Sequence, residues 1–462
     1  MIKLDDFLSL KGSKIYNRVC FRRTNITGVG IDSRTIKKSE AFFAIKGEST
    51  DGHKYLEQVV KKGVNLVVIC SRNRAQFEKT LSKTPYVTVP DTISALGELA
   101  HNHKLKFKTP FLAIGGSNGK TTTKDLVSAV LSSKFKVLKT EGNFNNHIGL
   151  PLTILRINSK HEFAVLEVGS NHFGEIEYLN KIAEPDYGLV TNIGKEHLEF
   201  FKNERGVAKA EFELYDYLRR EEDGVCFMNM DDKYIREYAK KLGKKKKFTY
   251  SYGYKTDVTG KFVKFSKDFE PVIRVKGMGK DFEVKIATFG KHSIYNGLAA
   301  AAVGLYFGVS TAGIKRALGN FKPASSKRME VVKHKGMIFI NDAYNSNPNS
   351  VQMGLETLKE YNGKGNKYIL LADMLELGKS SKKEHSDIGK LVKKMGFKHL
   401  YTYGEESFNT FKSAKGVQNN FYFELKGDMA EMLNAVLRKG DVVYIKGSRG
   451  MKMEDVLISI IN

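Results

Sequence analysis

The run "FLAIGGSNGKTTTKD", residues 111–125, joins a β-rich stretch to a Gly-Lys-Thr turn and a helical pattern. A strand, a glycine turn and a helix start together aim free backbone N–H groups at an anion. Over Gly115, Gly116, Ser117, Asn118, Gly119, Lys120 and Thr121, the glycines let the backbone approach phosphate oxygens. Lys120 would neutralise the outer phosphates, and the Thr121 hydroxyl would face a Mg²⁺ ion. The chemistry implied is that of a nucleoside triphosphate with magnesium. The loop is clipped, however: where the usual phosphate-loop pattern has its first glycine, this chain has Ile114, still inside the apolar run.

Further polar residues end or follow the neighbouring apolar runs. Glu167 lies near the end of "FAVLEVG", His197 follows "YGLVTNIGKE", and Glu211 lies in "GVAKAEFELYDYL" on a helical pattern. A glutamate ending a buried strand is costly unless it holds a cation or a partner. Oxygen donors suit Mg²⁺, so Thr121, Glu167, His197 and Glu211 are the expected metal residues, in a two-metal arrangement.

The elements that must position these groups follow from the texture of the chain. The first hundred residues hold short strand-like runs, "AFFAIKG", "VNLVVIC" and "PYVTVP". From Phe111, the runs "FLAIGG", "FAVLEVG", "YGLVTNIG" and "GVCFMN" alternate with helical patterns, which reads as a parallel sheet with crossover helices. A second such series, "MIFINDA", "KYILLADM", "HLYTYG" and "DVVYIKGS", begins after a linker at "GNFKPASSKR". The expected fold is α/β in three domains: residues 1–106, a small α/β unit; 107–322, a central phosphate-loop ATPase sheet; and 323–462, a Rossmann-like unit. In open parallel sheets, ligands gather at the carboxyl ends of strands, where each polar group above falls.

Composition narrows the class. The 462 residues are 41% hydrophobic, enough for real cores, and no apolar run is long enough to span a bilayer. The start, "MIKLDDFLSLKG", lacks a signal-like core, and the three cysteines show no CxxC spacing. A soluble cytoplasmic monomer is expected. The net charge of +25 is dispersed, with its densest run, "KKLGKKKKF", at a helix end and the loop after it. The interleaved basic and aromatic strands of a nucleic-acid binder are absent from the sequence, so no nucleic-acid partner and no membrane insertion are expected.

The clipped loop "GGSNGKTTT" resembles that of the Mur ligase family, ATP-dependent amide-forming enzymes of peptidoglycan synthesis. The segments "TEGNFNNHIGLPLTIL", "LEVGSNHFGEI", "NDAYNSNPNSV", "LADMLELGKSSKKEH" and "YIKGSRGMKMEDV" are similar to the branch that adds D-alanyl-D-alanine to a UDP-N-acetylmuramoyl-tripeptide. The resemblance implies that the N-terminal domain binds the UDP-sugar, with Ser33 and Arg34 near the nucleotide. Asn143, Asn145 and Asn146 would meet the muramoyl-peptide near the γ-phosphate, and Asn296 would read adenine. Arg328 would reach the nucleotide phosphates on domain closure, Asp342 would bind ribose, and Asn345 and Asn347 would mark the dipeptide branch. Catalysis would rest on Lys120, His197 and Arg328. The reaction implied passes through an acyl phosphate that the dipeptide amine attacks. Alternatives at this stage are a ligase of the same architecture adding a different amino acid, and a basic nucleic-acid-binding ATPase.

One departure stands out. The family's helix reads roughly "AKAKGEI", and its second lysine is commonly carbamylated to ligate metal. This chain reads "AKAEFEL", and alignment through Glu213 puts Glu211 in that place. Glu211 is therefore expected to ligate Mg²⁺ directly or through water. A register shifted by two would use Lys209 instead.

Overall fold

The short apolar runs of the first hundred residues fold as buried strands because β-branched and aromatic side chains suit a sheet covered on both faces. Leu66–Cys70 and Tyr86–Val89 are buried along their whole length and pair in parallel. They sit inside a five-stranded sheet whose first strand, Lys14–Tyr16, runs antiparallel at the edge. The computed structural model describes residues 2–21, 25–48, 50–323 and 327–462. Residues 324–326, within the linker expected at "FKPASSKR", and Ser49 lie outside the described residues.

The central sheet has nine strands. Phe111–Gly115 lies between Phe163–Glu167 and Tyr187–Val190, parallel to both. Ile114 pairs with Glu167, and Gly115 with Val190, so the three carboxyl ends are level. All three strands are continuous apolar runs, as a parallel sheet buried by helices requires. The helix Lys120–Leu131 packs against Ser293–Tyr306, whose Ala299–Ala302 stretch is buried, so small side chains let the two helices approach. Beyond the parallel strands, Val258–Phe265, Pro271–Gly277 and Lys280–Lys285 form an antiparallel extension that the sequence reading did not separate out. The lysine-rich run leads from the helix Lys233–Tyr238 into the strand Lys247–Ser251.

The last sheet has six strands. Met337–Asp342, Val442–Lys446, Lys367–Ala372, His399–Tyr403 and Asn419–Phe423 are parallel neighbours in that order, and Glu330–His334 closes the edge antiparallel. Asp342 and Lys446 are register partners at adjacent carboxyl ends. Among the described residues, no helix is long and apolar enough to cross a membrane.

Candidate active site

The three level strand ends of the central sheet deliver the site. After Gly115 the chain turns through Gly116, at φ 112°, and Gly119, at φ 79°, into the helix starting at Lys120. Thr191, just after Tyr187–Val190, supports the turn: its hydroxyl donates to the Asn118 carbonyl at 2.8 Å. The Asn118 N–H donates to the Asn192 side-chain oxygen at 3.1 Å. A Cβ on Gly116 would lie 2.2 Å from Thr191 Oγ1, at a φ that L-residues rarely adopt. Gly116→Ala should thus cost about 2 kcal/mol or more of stability from strain and overlap together. Urea unfolding measures it; an unchanged midpoint would refute the reading of this turn.

Lys120 is enclosed by acids. Its Nζ donates to the Gly116 carbonyl at 2.5 Å and lies 3.3 Å from Glu196 Oε2. Burial works to lower the lysine's pKa, but the carboxylates of Glu196, Glu211 and Glu167 outweigh it and hold the ammonium charged. Glu196 escaped the sequence reading, although it stands next to His197 in "GKEH".

Glu167 is 2% exposed. Its Oε1 accepts from Thr121 Oγ1 at 3.1 Å and from Asn145 Nδ2 at 2.9 Å, while its Oε2 has no partner. A buried, unpaired carboxylate oxygen beside a threonine hydroxyl fits a hard cation. Among the described residues, no cluster of three or more His, Cys, Asp or Glu is placed to hold a metal by itself. Mg²⁺ shared with phosphates needs one or two protein oxygens, so this donor pair suffices.

The other expected metal residues are placed differently. His197 lines the cavity, but its Nδ1 lies 2.5 Å from Glu376 Oε2 in the C-terminal domain. Burial opposes a charged ring there, yet Glu376 and Glu196 raise its pKa overall. Glu211, 2% exposed, stands behind the loop rather than in the cavity: its Oε2 accepts from the Gly116 N–H at 2.5 Å. A Cβ on Gly115 would fall 2.6 Å from that oxygen, so the loop and the acid are fitted to each other. Lys209 is exposed, its Nζ 5.4 Å from the Phe173 ring centre.

A cavity of about 1610 Å³ opens in front of the loop, lined by residues of all three sheet-bearing segments. Ser117 to Thr121, Asn143, Asn145, Asn146 and Asn296 line it from the central segment. Asn296 Oδ1 accepts from Thr123 Oγ1 at 3.1 Å, directly behind Gly119. Asn146 caps the turn at Gly149 through its Oδ1, at 2.9 Å, whereas Asn143 is exposed to the cavity.

From the C-terminal segment come Arg328, Asp342, Asn345 and Asn347. Arg328 stacks on Tyr344 at 3.8 Å, with its buried Nε unpaired. Asp342 is gripped by Lys446 Nζ at 2.6 Å and Tyr444 Oη at 3.1 Å. Lys446, 2% exposed, also donates to the Asn345 carbonyl at 2.9 Å; the sequence reading quoted its segment, "YIKGSRGMKMEDV", but gave Lys446 no role of its own.

Ser33 and Arg34 are not brought to this cavity. The Ser33 hydroxyl is spent on Gln58 Oε1 at 2.9 Å, and Arg34 is 81% exposed and paired with Asp32. Lys46, Gly47 and Glu48 reach the cavity from the N-terminal segment instead.

A clipped phosphate loop, level with a buried glutamate and faced by a second parallel sheet, defines a nucleotide-binding α/β scaffold. Three family profiles match along the chain: "Mur ligase family, catalytic domain" over residues 25–104, "Mur ligase middle domain" over 114–304, and "Mur ligase, glutamate ligase domain" over 327–449. The chain belongs to the Mur ligase family. It is 34% identical over 452 residues to the UDP-N-acetylmuramoyl-tripeptide–D-alanyl-D-alanine ligase of Bacillus subtilis, covering 96% of this chain and 94% of that one. The enzyme of the same name from Haemophilus influenzae is 31% identical, over 94% and 93% of the two chains. Among solved structures, MurF from Acinetobacter baumannii superposes with a TM-score of 0.87 at 26% identity, covering 99% of this chain and 98% of that one.

Proposed function

We propose that this chain joins D-alanyl-D-alanine to the terminal carboxylate of a UDP-N-acetylmuramoyl-tripeptide, using ATP to activate the acid as an acyl phosphate. The observation that carries it is a cavity lined together by the phosphate loop, by Glu167 with its unpaired oxygen, and by Asp342, Tyr344 and Asn345. Its volume of about 1610 Å³ has room for a nucleotide, an acid and an amine together.

Bringing a carboxylate to a triphosphate sets like charges against each other. Each unit pair at about 4 Å costs about 4 kcal/mol at an effective dielectric near 20. Lys120 and Arg328 offset that repulsion and stabilise the charge that develops on phosphoryl transfer. Thr121 and Glu167 would hold Mg²⁺, with Glu211 supplying negative charge behind the loop and His197 at the cavity edge. When bound, the ion neutralises phosphate oxygens and orients them. Asn296 faces the base and Asp342 the ribose, while Asn143 and Asn145 border the path of the acid. Asn345 borders the amine side. Closure of the C-terminal domain over the loop would keep water from the acyl phosphate. The protein acts as a cytoplasmic monomer in this reading, with no nucleic-acid partner.

Phosphate release with the UDP-tripeptide and ATP tests it. Release should depend on D-alanyl-D-alanine, and single amino acids should support less than about a tenth of the rate, since a site built for buried polar pairing rejects a partner that leaves groups unpaired. ATP consumption without the acid, and with no new amide, would end the proposal.

A further inference from the structure

We infer that Asn347 is a positioning residue that ties the amine side of the C-terminal domain to the phosphate loop, so that nucleotide is gripped in full when that domain is docked. The inference rests on reading the Gly115–Thr121 loop as the nucleotide cradle.

Both ends of the Asn347 amide are committed. Its Oδ1 accepts from the Ser350 N–H at 2.8 Å, and its own N–H donates to Ser350 Oγ at 3.0 Å, a reciprocal cap on the helix Pro348–Glu360. Its Nδ2 donates to Asn118 Oδ1 at 2.9 Å, across 229 residues of chain. Asn347 is buried, so this donor is not idle at a wet surface. One of the two Nδ2 hydrogens and the capping oxygen are thus used inside the protein, which fixes the side chain toward the loop rather than leaving it free to turn to a dipeptide, the role the sequence resemblance implied.

Asn118 is the loop residue best placed to transmit the contact. Its N–H and carbonyl are held by Asn192 and Thr191 of the central domain, while its side chain faces Asn347. The loop residue is thus gripped from two domains at once.

The neighbouring contacts repeat the pattern. Asn349, in the first turn of the same helix, accepts the Lys195 N–H at 2.7 Å, and Lys195 Nζ pairs with Glu384 at 2.8 Å. The far end of the helix meets the central domain differently: the Tyr361 ring lies 5.1 Å from Phe269 and 5.9 Å from Phe289. Ring contacts tolerate small rotations, whereas hydrogen bonds lose strength steeply with angle. The buried hydrogen bonds are thus at the start of the helix, on the phosphate loop, while the far end rests on rings and an exposed Lys291–Glu360 pair at 2.9 Å.

The test measures ADP affinity by calorimetry with Mg²⁺ present, a readout that needs no ligation. Asn347→Ser keeps a good cap but is too short to reach Asn118. It should weaken ADP about five- to tenfold, the worth of one hydrogen bond, with the melting temperature within about 2 °C and the KM for D-alanyl-D-alanine within about twofold. In an Asn118→Ala background the same substitution should change ADP affinity less than about twofold, because its route is already cut. Unchanged ADP affinity with a raised dipeptide KM would overturn the inference in favour of a substrate contact. Losses that multiply in the double variant would overturn it in favour of independent roles, and a drop in melting temperature that accounts for the whole effect would reduce Asn347 to a helix cap. If the protein binds ADP as described yet makes no amide, the proposed function fails while the coupling stands.

Discussion

Lys120→Ala should lower turnover by about 10³-fold or more with the fold intact. The magnitude follows from the repulsion this ammonium offsets: about 4 kcal/mol for one unit pair at 4 Å converts to about three orders of magnitude. Removing a single preorganised donor from a buried anion site is of the same size. The fold should survive because Lys120 opens a helix whose backbone bonds do not involve its side chain, and alanine is a good helix former. The ammonium's protein contacts are the Gly116 carbonyl and Glu196, so its loss leaves Glu196, Glu167 and Glu211 without their shared cation. Lys120→Arg should rescue poorly, since a planar guanidinium does not fit a point-charge site. Stopped or coupled assays at saturating ATP, with circular dichroism of the same sample, check both halves. Turnover within about tenfold of the parent enzyme would remove Lys120 from the chemistry.

Glu211→Gln should make the nucleotide-free protein more stable at pH 8 and about 10²-fold slower. Burial pushes the Glu211 carboxyl up to about 7, against the pull of Lys120 and the Gly116 N–H. An acid whose folded pKa lies above its ordinary value of 4.5 keeps its proton longer in the native state than in the unfolded chain. Between those values the native state binds more protons, so stability falls as pH rises from about 4.5 through about 7. The full difference is worth about 3 kcal/mol. Glutamine keeps an acceptor for the Gly116 N–H and carries no buried charge, so its advantage in melting temperature should grow from near zero at pH 5 to its full size near pH 8. The rate should fall because the loop loses the negative charge that supports Lys120 and any cation in front of it. A variant equally stable at both pH values would show that Glu211 is not held as a buried acid. One that kept full turnover would show that its charge serves nothing in the reaction.

Much of the fold was legible because parallel strands buried on both faces are written as continuous apolar runs: "FLAIGG", "FAVLEVG" and "YGLVTNIG" each became a strand of the central sheet. The phosphate loop was legible for a related reason, since its chemistry depends on backbone turns that only glycine allows at particular spacings. Thr121 and Glu167 followed from their places at strand and helix ends, and the structure sets them 3.1 Å apart. The antiparallel extension went unread although Pro271–Gly277 and Lys280–Lys285 alternate buried and exposed residues, the pattern of a half-buried strand; only Val258–Phe265, mostly exposed in its second half, lacks that signal.

Type and neighbourhood in the chain thus determined which residues could do chemistry: an anion cradle, a lysine, a glutamate at a strand end and another on a helix. Tertiary structure decided what each does with its atoms. Glu211 turns to the Gly116 N–H, His197 to Glu376, Asn347 to Asn118, and Ser33 to Gln58, while Lys446 arrives under Asp342 from a strand far along the chain. A hydrogen bond depends on fractions of an ångström and on angle, and residues hundreds of positions apart meet only through the packing of whole domains. Sequence spacing carries no record of that.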